Sequence, residues 1–186
     1  MELWDLYDKD RNPTGETMVR GDPMKDGAYH LVVHICIFSS EGKMLIQHRQ
    51  PFKSGWSDLW DITVGGSAVH GDTSRSAAER EVLEEIGFDP QLEDVRPSLS
   101  VNFERGYDDF YLIRRDLDLS KLSLQAEEVK EVRWASLQEI LSMVDAGTFI
   151  PYHKSLLELL FFMRDRMTAR THPDTTVPSG AEPSFK

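Results

Sequence analysis

Cysteine, long apolar runs and positive charge are all scarce in this sequence of 186 residues. The single cysteine, Cys36, cannot form an internal disulfide, which is typical of a protein from a reducing compartment. The first residues are charged and aromatic, unlike the apolar core of a signal peptide. The longest apolar stretch, residues 156–163, contains Glu158 and is far shorter than the roughly 20 residues that span a bilayer. We therefore expect a cytoplasmic protein without a membrane span.

Acidic residues outnumber basic ones, since 32 Asp and Glu stand against 21 Lys and Arg, for a formal net charge of −11. Such a charge disfavours binding to nucleic acid or to an anionic membrane surface, so neither is expected as a partner. An anionic small molecule could bind only where local cations or a metal ion compensate its charge.

The length suits one domain, which we place at residues 1–167. Residues 168–186 are rich in Pro, Thr and Ser and contain few large apolar residues, so they are predicted to form a disordered tail. Residues 154–167 are nearly continuously apolar and predict a helix that is buried either in the core or against a second subunit. The second of these outcomes is a homodimer.

Apolar and β-branched segments predict an α/β fold with a largely antiparallel or mixed sheet. The predicted strands are residues 2–7, 16–20, 30–38, 43–49, 60–64, 99–103, 109–114 and 129–134. A turn is expected at 12–15, and the strand 60–64 should end at Gly65 and Gly66. Helices are predicted over 73–86, which Gly87 closes, over 136–146, and over 154–167.

The first predicted helix carries an unusual group of carboxylates. At 100° per residue, one quadrant of the helix holds Glu81, Glu84 and Glu85. Like charges at these spacings cost roughly 0.2 to 0.5 kcal/mol per pair, so packing alone does not favour the group. An acidic protein often presents such a helix simply as a solvated face. A divalent cation such as Mg²⁺ or Mn²⁺ would instead make the group favourable, because carboxylate oxygens are its preferred ligands.

The residues around these glutamates follow a fixed spacing. The fixed positions are Gly66, Asp72, Arg80, Glu81, Glu84, Glu85 and Gly87. Five residues separate the first two positions and seven separate the second from the third. This pattern resembles the Nudix box, the signature of the Nudix hydrolase superfamily. The one departure is Asp72, where the family has Glu, so the same charge stands on a shorter side chain.

The resemblance implies an α/β/α sandwich with a mixed sheet. The flanking segments add Pro13-Thr14-Gly15, Arg20-Gly21, Tyr29-His30, a strand pair that ends at Arg49, and Trp60-Asp61. With these segments, residues from about 2 to about 140 look like the branch related to isopentenyl diphosphate isomerase. Those isomerases use a cysteine and a nearby histidine just before the box, where this chain has Gly65 and Ser67. Cys36 lies in an apolar strand pattern and is expected to pack as a small hydrophobe. These differences favour hydrolysis over isomerisation.

The resemblance also implies a set of site residues. Metal ligands are expected at Glu81, Glu84 and Glu85, with a backbone carbonyl from Gly65 or Gly66. The carboxylate that orients the attacking water is expected to be Glu84, Glu81 or an acid of the Asp108-Asp109 segment, where Asp109 is favoured. Structural roles within the box are expected for Gly66, Asp72, Arg80 and Gly87. Mg²⁺ is the expected cofactor, and Mn²⁺ is a possible substitute.

Substrate contacts are expected from Arg49, Lys53, His30 and Trp56. The two cations are equally consistent with ordinary surface charge. His30 and His34 share one face of a strand, but no third ligand at zinc-like spacing accompanies them. The resemblance to the isomerase-like branch, where a matching residue lines the pocket, favours a pocket-lining role for His30. Glu127 and Glu128 belong to a charged loop and are expected to face solvent.

Together these residues predict a Mg²⁺-dependent hydrolase with a small-molecule diphosphate substrate. The bond cleaved is expected to be the diphosphate bond of a nucleoside diphosphate derivative or an isoprenyl diphosphate, with water attacking phosphorus. Two alternatives stay open at this point: an activity like that of isopentenyl diphosphate isomerase, and a non-catalytic sensor of diphosphates.

Overall fold

The computed structural model describes residues 2–165. The strands are β1 (Leu3–Tyr7), β2 (Pro13–Val19), β3 (His30–Phe38), β4 (Met44–Arg49), β5 (Trp60–Asp61), β6 (Val64–Ser67), β7 (Leu99–Phe103), β8 (Gly106–Arg114) and β9 (Val129–Ala135). The helices are α1 (Ser74–Ile86), α2 (Leu137–Asp145) and α3 (Lys154–Met163). Within the described range, no helix has the length and apolarity to cross a membrane.

Seven strands form one sheet in the order β5-β4-β3-β8-β7, with β6 pairing β3 and β9 pairing β4. β3 and β8 are parallel and the other pairs are antiparallel, so the expected mixed sheet is confirmed. β1 and β2 form a separate hairpin, which a bridge between Tyr7 and Tyr29 joins to the start of β3.

Alternate residues of β3 enter two different cores, as the period of a strand requires. Val33 and Ile35 belong to the core that α1 covers through Val82. Cys36 belongs to the core that includes Leu157 of α3. The sheet therefore lies between helical layers, which is the expected α/β/α sandwich. Cys36 is fully buried there, and burial raises the pKa of its thiol well above the ordinary value.

The first reverse turn lies earlier in the chain than predicted. The Asp8 carboxylate accepts hydrogen bonds from the backbone N–H groups of Asp10 at 2.9 Å and Asn12 at 2.8 Å. This side-chain turn reverses the chain over residues 8–12, and Arg11 takes a positive φ of 64°. Residues 13–15, which were predicted in the turn, therefore lie in β2.

The predicted strand 60–64 is two short strands with different partners. β5 pairs with β4 and β6 pairs with β3, and the two glycines lie inside β6 rather than ending a strand. Thr63 lies between β5 and β6 and is fully buried. Its hydroxyl accepts from the N–H of Ile37 at 2.9 Å and donates to the carbonyl of Leu45 at 2.5 Å. The hydroxyl thus bridges β3 and β4 where their direct pairing has ended.

Two other predicted boundaries differ from the structure. β8 begins at Gly106 rather than at residue 109, because its pairing with β3 continues to His30. α3 ends at Met163, and residues 164–165 form a turn. The remainder of the predicted helix, 166–167, and the predicted tail, 168–186, lie outside the described residues.

Candidate active site

A cavity of about 790 Å³ opens beside α1 and β6. Its lining also includes residues of β3 and β8, the loop after β4, the loop before β9 and the loop between α2 and α3. The β1–β2 hairpin contributes Glu2 and Arg20. Because these segments are distant in sequence, the cavity is a product of the tertiary fold.

Helix α1 delivers all three glutamates of the pattern to this cavity. Thr73 caps its N-terminus through a reciprocal pair of bonds with Ser76, and Gly87 ends it with a left-handed φ of 66°, as predicted. Because the apolar face of the helix packs on the sheet, the neighbouring carboxylates lie along the cavity. Glu84 stays half exposed, whereas Glu81 and Glu85 are largely buried.

The carboxylate of Glu85 has little compensation for its burial. It is 5% exposed and, among the described residues, accepts one hydrogen bond, from Nε2 of Gln47 at 2.9 Å. Burial raises the pKa of Glu85 to about 8, and the Gln47 bond offsets only part of that effect. Burial also raises the pKa of Glu81, against the opposing charge of Arg80. A cation beside these groups would favour their charged forms.

Gly66 allows β6 to approach the glutamates closely. A Cβ atom at this position would overlap the carboxylate of Glu81, so any other residue would displace that side chain. Gly65 is also crowded, since a Cβ there would lie 3.0 Å from Nδ1 of His34. The two glycines therefore place strand backbone directly against a carboxylate and an imidazole.

Arg80 joins the acidic groups of the pattern into one network. Its guanidinium lies 2.9 Å from Oδ2 of Asp72, 2.9 Å from Oε1 of Glu81 and 3.3 Å from Oε2 of Glu84. It also donates to the carbonyl of Ser67 at 3.1 Å. The shorter Asp72 thus reaches the arginine in the place where the family pattern has Glu.

The donor set of the cavity fits a hard divalent cation. Carboxylates and backbone carbonyls are oxygen ligands of the kind that Mg²⁺ prefers. Within the described part of the chain, the buried Glu85 carboxylate is not paired with a cationic side chain. Across residues 2–165, no three His, Cys, Asp or Glu side chains converge as metal ligands in the structure. Arg80 is the cation that lies among the glutamates.

Three of the four predicted substrate contacts lie at the cavity. Arg49, Lys53 and Trp56 line it, and Trp56 is 56% exposed with a positive φ of 51°. Lys53 forms an ion pair with Glu128. His30 is not among the lining residues, because its ring is buried in a stack on Trp4 with centroids 4.3 Å apart.

Asp109 is separated from the glutamates by the alternation of β8. It is fully buried and binds Arg11, Ser74 at 2.6 Å and Ser100 at 2.5 Å, and it does not line the cavity. Its neighbour Asp108 points to the other face of the strand and does line the cavity. The sequence placed two adjacent carboxylates here, but only the fold shows which of them reaches the site.

The structure adds several cavity residues that sequence reasoning did not assign to the site. They are His34, Asp61, Glu128 and Tyr152. Glu128 is 28% exposed and paired, which corrects the expectation that it faces solvent. For Asp61 a signal was available, since it is a lone charge within an otherwise apolar or β-branched strand segment. No comparable signal marks Tyr152, which lies in an interhelical loop.

Comparison with known proteins agrees with this fold and shows the family of the chain. A model of the NUDIX domain matches residues 28–160. Over 168 residues the chain is 45% identical to an uncharacterised Nudix hydrolase of Listeria innocua, covering 90% of this chain and 98% of the relative. It is 27% identical over 152 residues to an isopentenyl-diphosphate Delta-isomerase of Photorhabdus laumondii, covering 77% and 82% of the two chains.

A crystal structure from Deinococcus radiodurans has the same fold, with a TM-score of 0.68 at 23% identity, covering 86% of this chain and 97% of that one. The sandwich is thus a Nudix fold. The chain belongs to the NUDIX domain family, and it is a Nudix hydrolase, an enzyme of the class that cleaves pyrophosphate bonds in small molecules and generally uses divalent metal ions.

Proposed function

We propose that this hydrolase is Mg²⁺-dependent and cleaves the diphosphate bond of a nucleoside diphosphate derivative or an isoprenyl diphosphate. The observation that carries the proposal is the shared cavity, which brings Glu81, Glu84 and Glu85 together with the cations Arg49 and Lys53. Carboxylates that can hold a metal ion and cations that can hold an anion are the two requirements for binding a metal diphosphate.

The residues that would hold Mg²⁺ are the three glutamates of α1, with a backbone carbonyl of Gly65. When bound, the ion neutralises charge on the diphosphate and on its leaving oxygen. Arg80 positions Glu81 and Glu84 through the ion pairs described above, and Gly66 leaves the space that the Glu81 carboxylate occupies. Residues that orient ligands in this way commonly affect metal affinity almost as strongly as the ligands themselves.

Arg49 and Lys53 would bind the diphosphate oxygens. Lys53 is paired with Glu128 in the structure, so diphosphate binding would exchange one anionic partner of the ammonium for another. Trp56 is exposed at the same cavity and presents an aromatic surface to the organic group.

Glu84 is the best-placed carboxylate to orient the attacking water. Both carboxylates line the cavity and contact Arg80, but Glu84 is 52% exposed whereas Glu81 is 13% exposed. Water oxygen forms the new bond to phosphorus, its proton passes to Glu84, and the bridging P–O bond breaks. Asp109 has no path to this water, because it is buried under Arg11, Ser74 and Ser100.

An isomerase reaction by cysteine chemistry has no support in the cavity. Cys36 is the only cysteine of the sequence, and it is fully buried in the core that α3 covers. Gly65 and Ser67 stand at the positions where the isomerases have cysteine and histidine. Hydrolysis therefore remains the proposed reaction, despite the relationship to isopentenyl diphosphate isomerases.

A screen of diphosphate compounds with Mg²⁺, with products resolved by mass, tests the proposal. It should include nucleoside diphosphate derivatives and isoprenyl diphosphates, with the Glu85→Gln protein measured beside the wild type. Glu79→Gln is the matched control, because this glutamate lies on the same helix but bonds the N–H of Leu92 and is not a cavity residue. We expect a monophosphate product from wild type and from the control, and its loss in Glu85→Gln.

Chelation with EDTA should abolish product formation, and added Mg²⁺ should restore it. Product formation that persists in Glu85→Gln would overturn the role of the glutamates. Tight binding of a diphosphate without any turnover would instead identify the site as a sensor.

A further inference from the structure

A buried carboxylate that the proposed mechanism does not use lies beside the substrate-binding cations. Asp61 is 5% exposed and lines the cavity. Its Oδ1 accepts from the hydroxyl of Tyr152 at 2.9 Å and from the N–H of Ile62 at 2.7 Å. Its Oδ2 lies 3.8 Å from Nη1 of Arg49. Burial raises the pKa of Asp61, and the charges of His34 and Arg49 followed by the Tyr152 bond oppose that effect.

The loop that carries Tyr152 is attached to the sheet by backbone hydrogen bonds. The N–H of Trp60 donates to the carbonyl of Thr148 at 2.9 Å, and the N–H of Ile150 donates to the carbonyl of Trp60 at 2.8 Å. The ring of Tyr152 then packs edge-on against His34, with centroids 6.4 Å apart. The hydroxyl of Tyr152 is therefore held at a defined position before any substrate arrives.

Arg49, by contrast, depends on few contacts. It ends β4 at an irregularity in the pairing with β9. Nη2 donates to the carbonyl of Gly55 at 3.2 Å, and Nε has no hydrogen-bond partner among the described residues. The Asp61 carboxylate is its one anionic partner within the ion-pair distance in this part of the chain. A long side chain with so few contacts loses rotamer freedom when it binds an anion, unless a neighbour has already fixed it.

We propose that Asp61 and Tyr152 are positioning residues for Arg49: Tyr152 fixes the Asp61 carboxylate, and that carboxylate orients the guanidinium toward the diphosphate. This inference rests on the proposed role of Arg49 in diphosphate binding. It gives the loop between α2 and α3 a part in substrate affinity, because Tyr152 acts on the diphosphate through Asp61 and Arg49.

Binding of methylenediphosphonate, a non-hydrolysable diphosphate analogue, tests the proposal without knowledge of the natural substrate. Its Kd is measured by calorimetry in the presence of Mg²⁺. Arg49→Ala should weaken binding about tenfold, the order expected for one charge-assisted hydrogen bond to the diphosphate. Asp61→Asn should weaken binding by up to the same factor, because Asp61 acts through the ion pair with Arg49. Tyr152→Phe should weaken it about threefold, since it removes a neutral donor.

The double variant Arg49→Ala with Asp61→Asn separates positioning from a merely structural role. If Asp61 acts through Arg49, Asp61→Asn changes the Kd by less than about twofold once Arg49 is absent. A general disturbance of the cavity would weaken binding by the same factor in both backgrounds, and that result would overturn the proposal. Tyr152→Phe in the Arg49→Ala background supplies the same test if Asp61→Asn does not fold.

Tyr107→Phe is the matched control for loss of a tyrosine hydroxyl. Its hydroxyl bonds the carbonyl of Asp8, and it is not a cavity residue, so it should change stability without changing the Kd. If Arg49→Ala weakens binding but Asp61→Asn does not, the positioning role is wrong and the diphosphate site stands. If the wild-type protein shows no Mg²⁺-dependent binding, both the site and the positioning role are wrong.

Discussion

Two networks of buried carboxylates lie on elements in contact, one around Asp109 of β8 and one around Glu85 of α1. They differ in how many partners offset the burial of the carboxylate. Asp109 is fully buried and is matched by the Arg11 guanidinium and two serine hydroxyls. Glu85 is almost as buried, but the residues that the structure describes give its carboxylate a single amide hydrogen bond. Side chains of the protein itself bind both oxygens of the Asp109 carboxylate, so the first network contributes to the stability of the fold. Arg80 pairs with Glu81 and Glu84 in the second network, but within residues 2–165 the Glu85 carboxylate has no cationic partner, which is expected of a site that binds a metal ion.

Neutralising Glu85 should give the largest effect on activity. Glu85→Gln should lower kcat/KM by about a thousandfold, or about 4 kcal/mol, because a ligand of the metal is lost. Its metal-free free energy of unfolding should equal or exceed that of wild type, since the change removes a buried charge that is poorly compensated. Steady-state kinetics and urea unfolding in EDTA measure the two quantities. A large loss of stability with little loss of activity would show that Glu85, like Asp109, supports the fold and does not bind the metal ion.

Neutralising Asp109 should have the opposite profile. Asp109→Asn should lower the free energy of unfolding by about 3 kcal/mol, because Arg11 loses its buried partner while remaining partly exposed. Activity per folded molecule should change little. Urea unfolding and kinetics below the transition provide the check. Loss of turnover at unchanged stability would return Asp109 to the chemistry, where the sequence alone had allowed it.

Adding Mg²⁺ should complete the glutamate network. At a free concentration one hundred times its Kd, Mg²⁺ should stabilise the wild type by about 2.7 kcal/mol. The gain should be much smaller in Glu85→Gln and unchanged in Asp109→Asn. Thermal unfolding across a Mg²⁺ titration measures all three proteins. Equal stabilisation of wild type and Glu85→Gln would place the ion elsewhere.

Removing one hydroxyl from the complete network should give the smallest effect. Ser74 donates to Asp109 at 2.6 Å and lies 2.9 Å from the hydroxyl of Tyr111, so Ser74→Ala should destabilise the protein by about 1 kcal/mol. The exposed Ser142 of α2 is the control, because Ser142→Ala should change stability by less than about 0.5 kcal/mol. An equal change in the free energy of unfolding for Ser74→Ala and Ser142→Ala would mean that burial of the Asp109 network does not add to stability.

Local features were predictable from the sequence. The helix predicted over 73–86 with its end at Gly87 is found as α1 (Ser74–Ile86), because capping and backbone preference act over a few residues. The glutamate spacing follows from helical geometry. The first turn was misplaced, because an Asp8 side chain competes with the Pro13 to Gly15 signal and the two cannot be ranked by composition.

Features that depend on contacts between distant segments were harder to predict from the sequence. The strand period says that Asp108 and Asp109 point to opposite faces, but it does not say which face borders the cavity. Glu128 and Tyr152 reach the cavity only because their loops fold back on β4 and β5. Loop positions depend on many weak tertiary contacts, and these leave no periodic signal in the sequence.

The sequence by itself determined the family, the glutamate helix and the reaction class, since each depends on residue types at short, fixed spacings. Only the tertiary structure decided that Asp109 has a cationic partner while Glu85 has none among the described residues. It also decided which loops line the cavity. The physical reason is that the state of a buried charge depends on all neighbours within a few ångströms. For Glu85 and Asp61 those neighbours come from segments that are far apart in the chain.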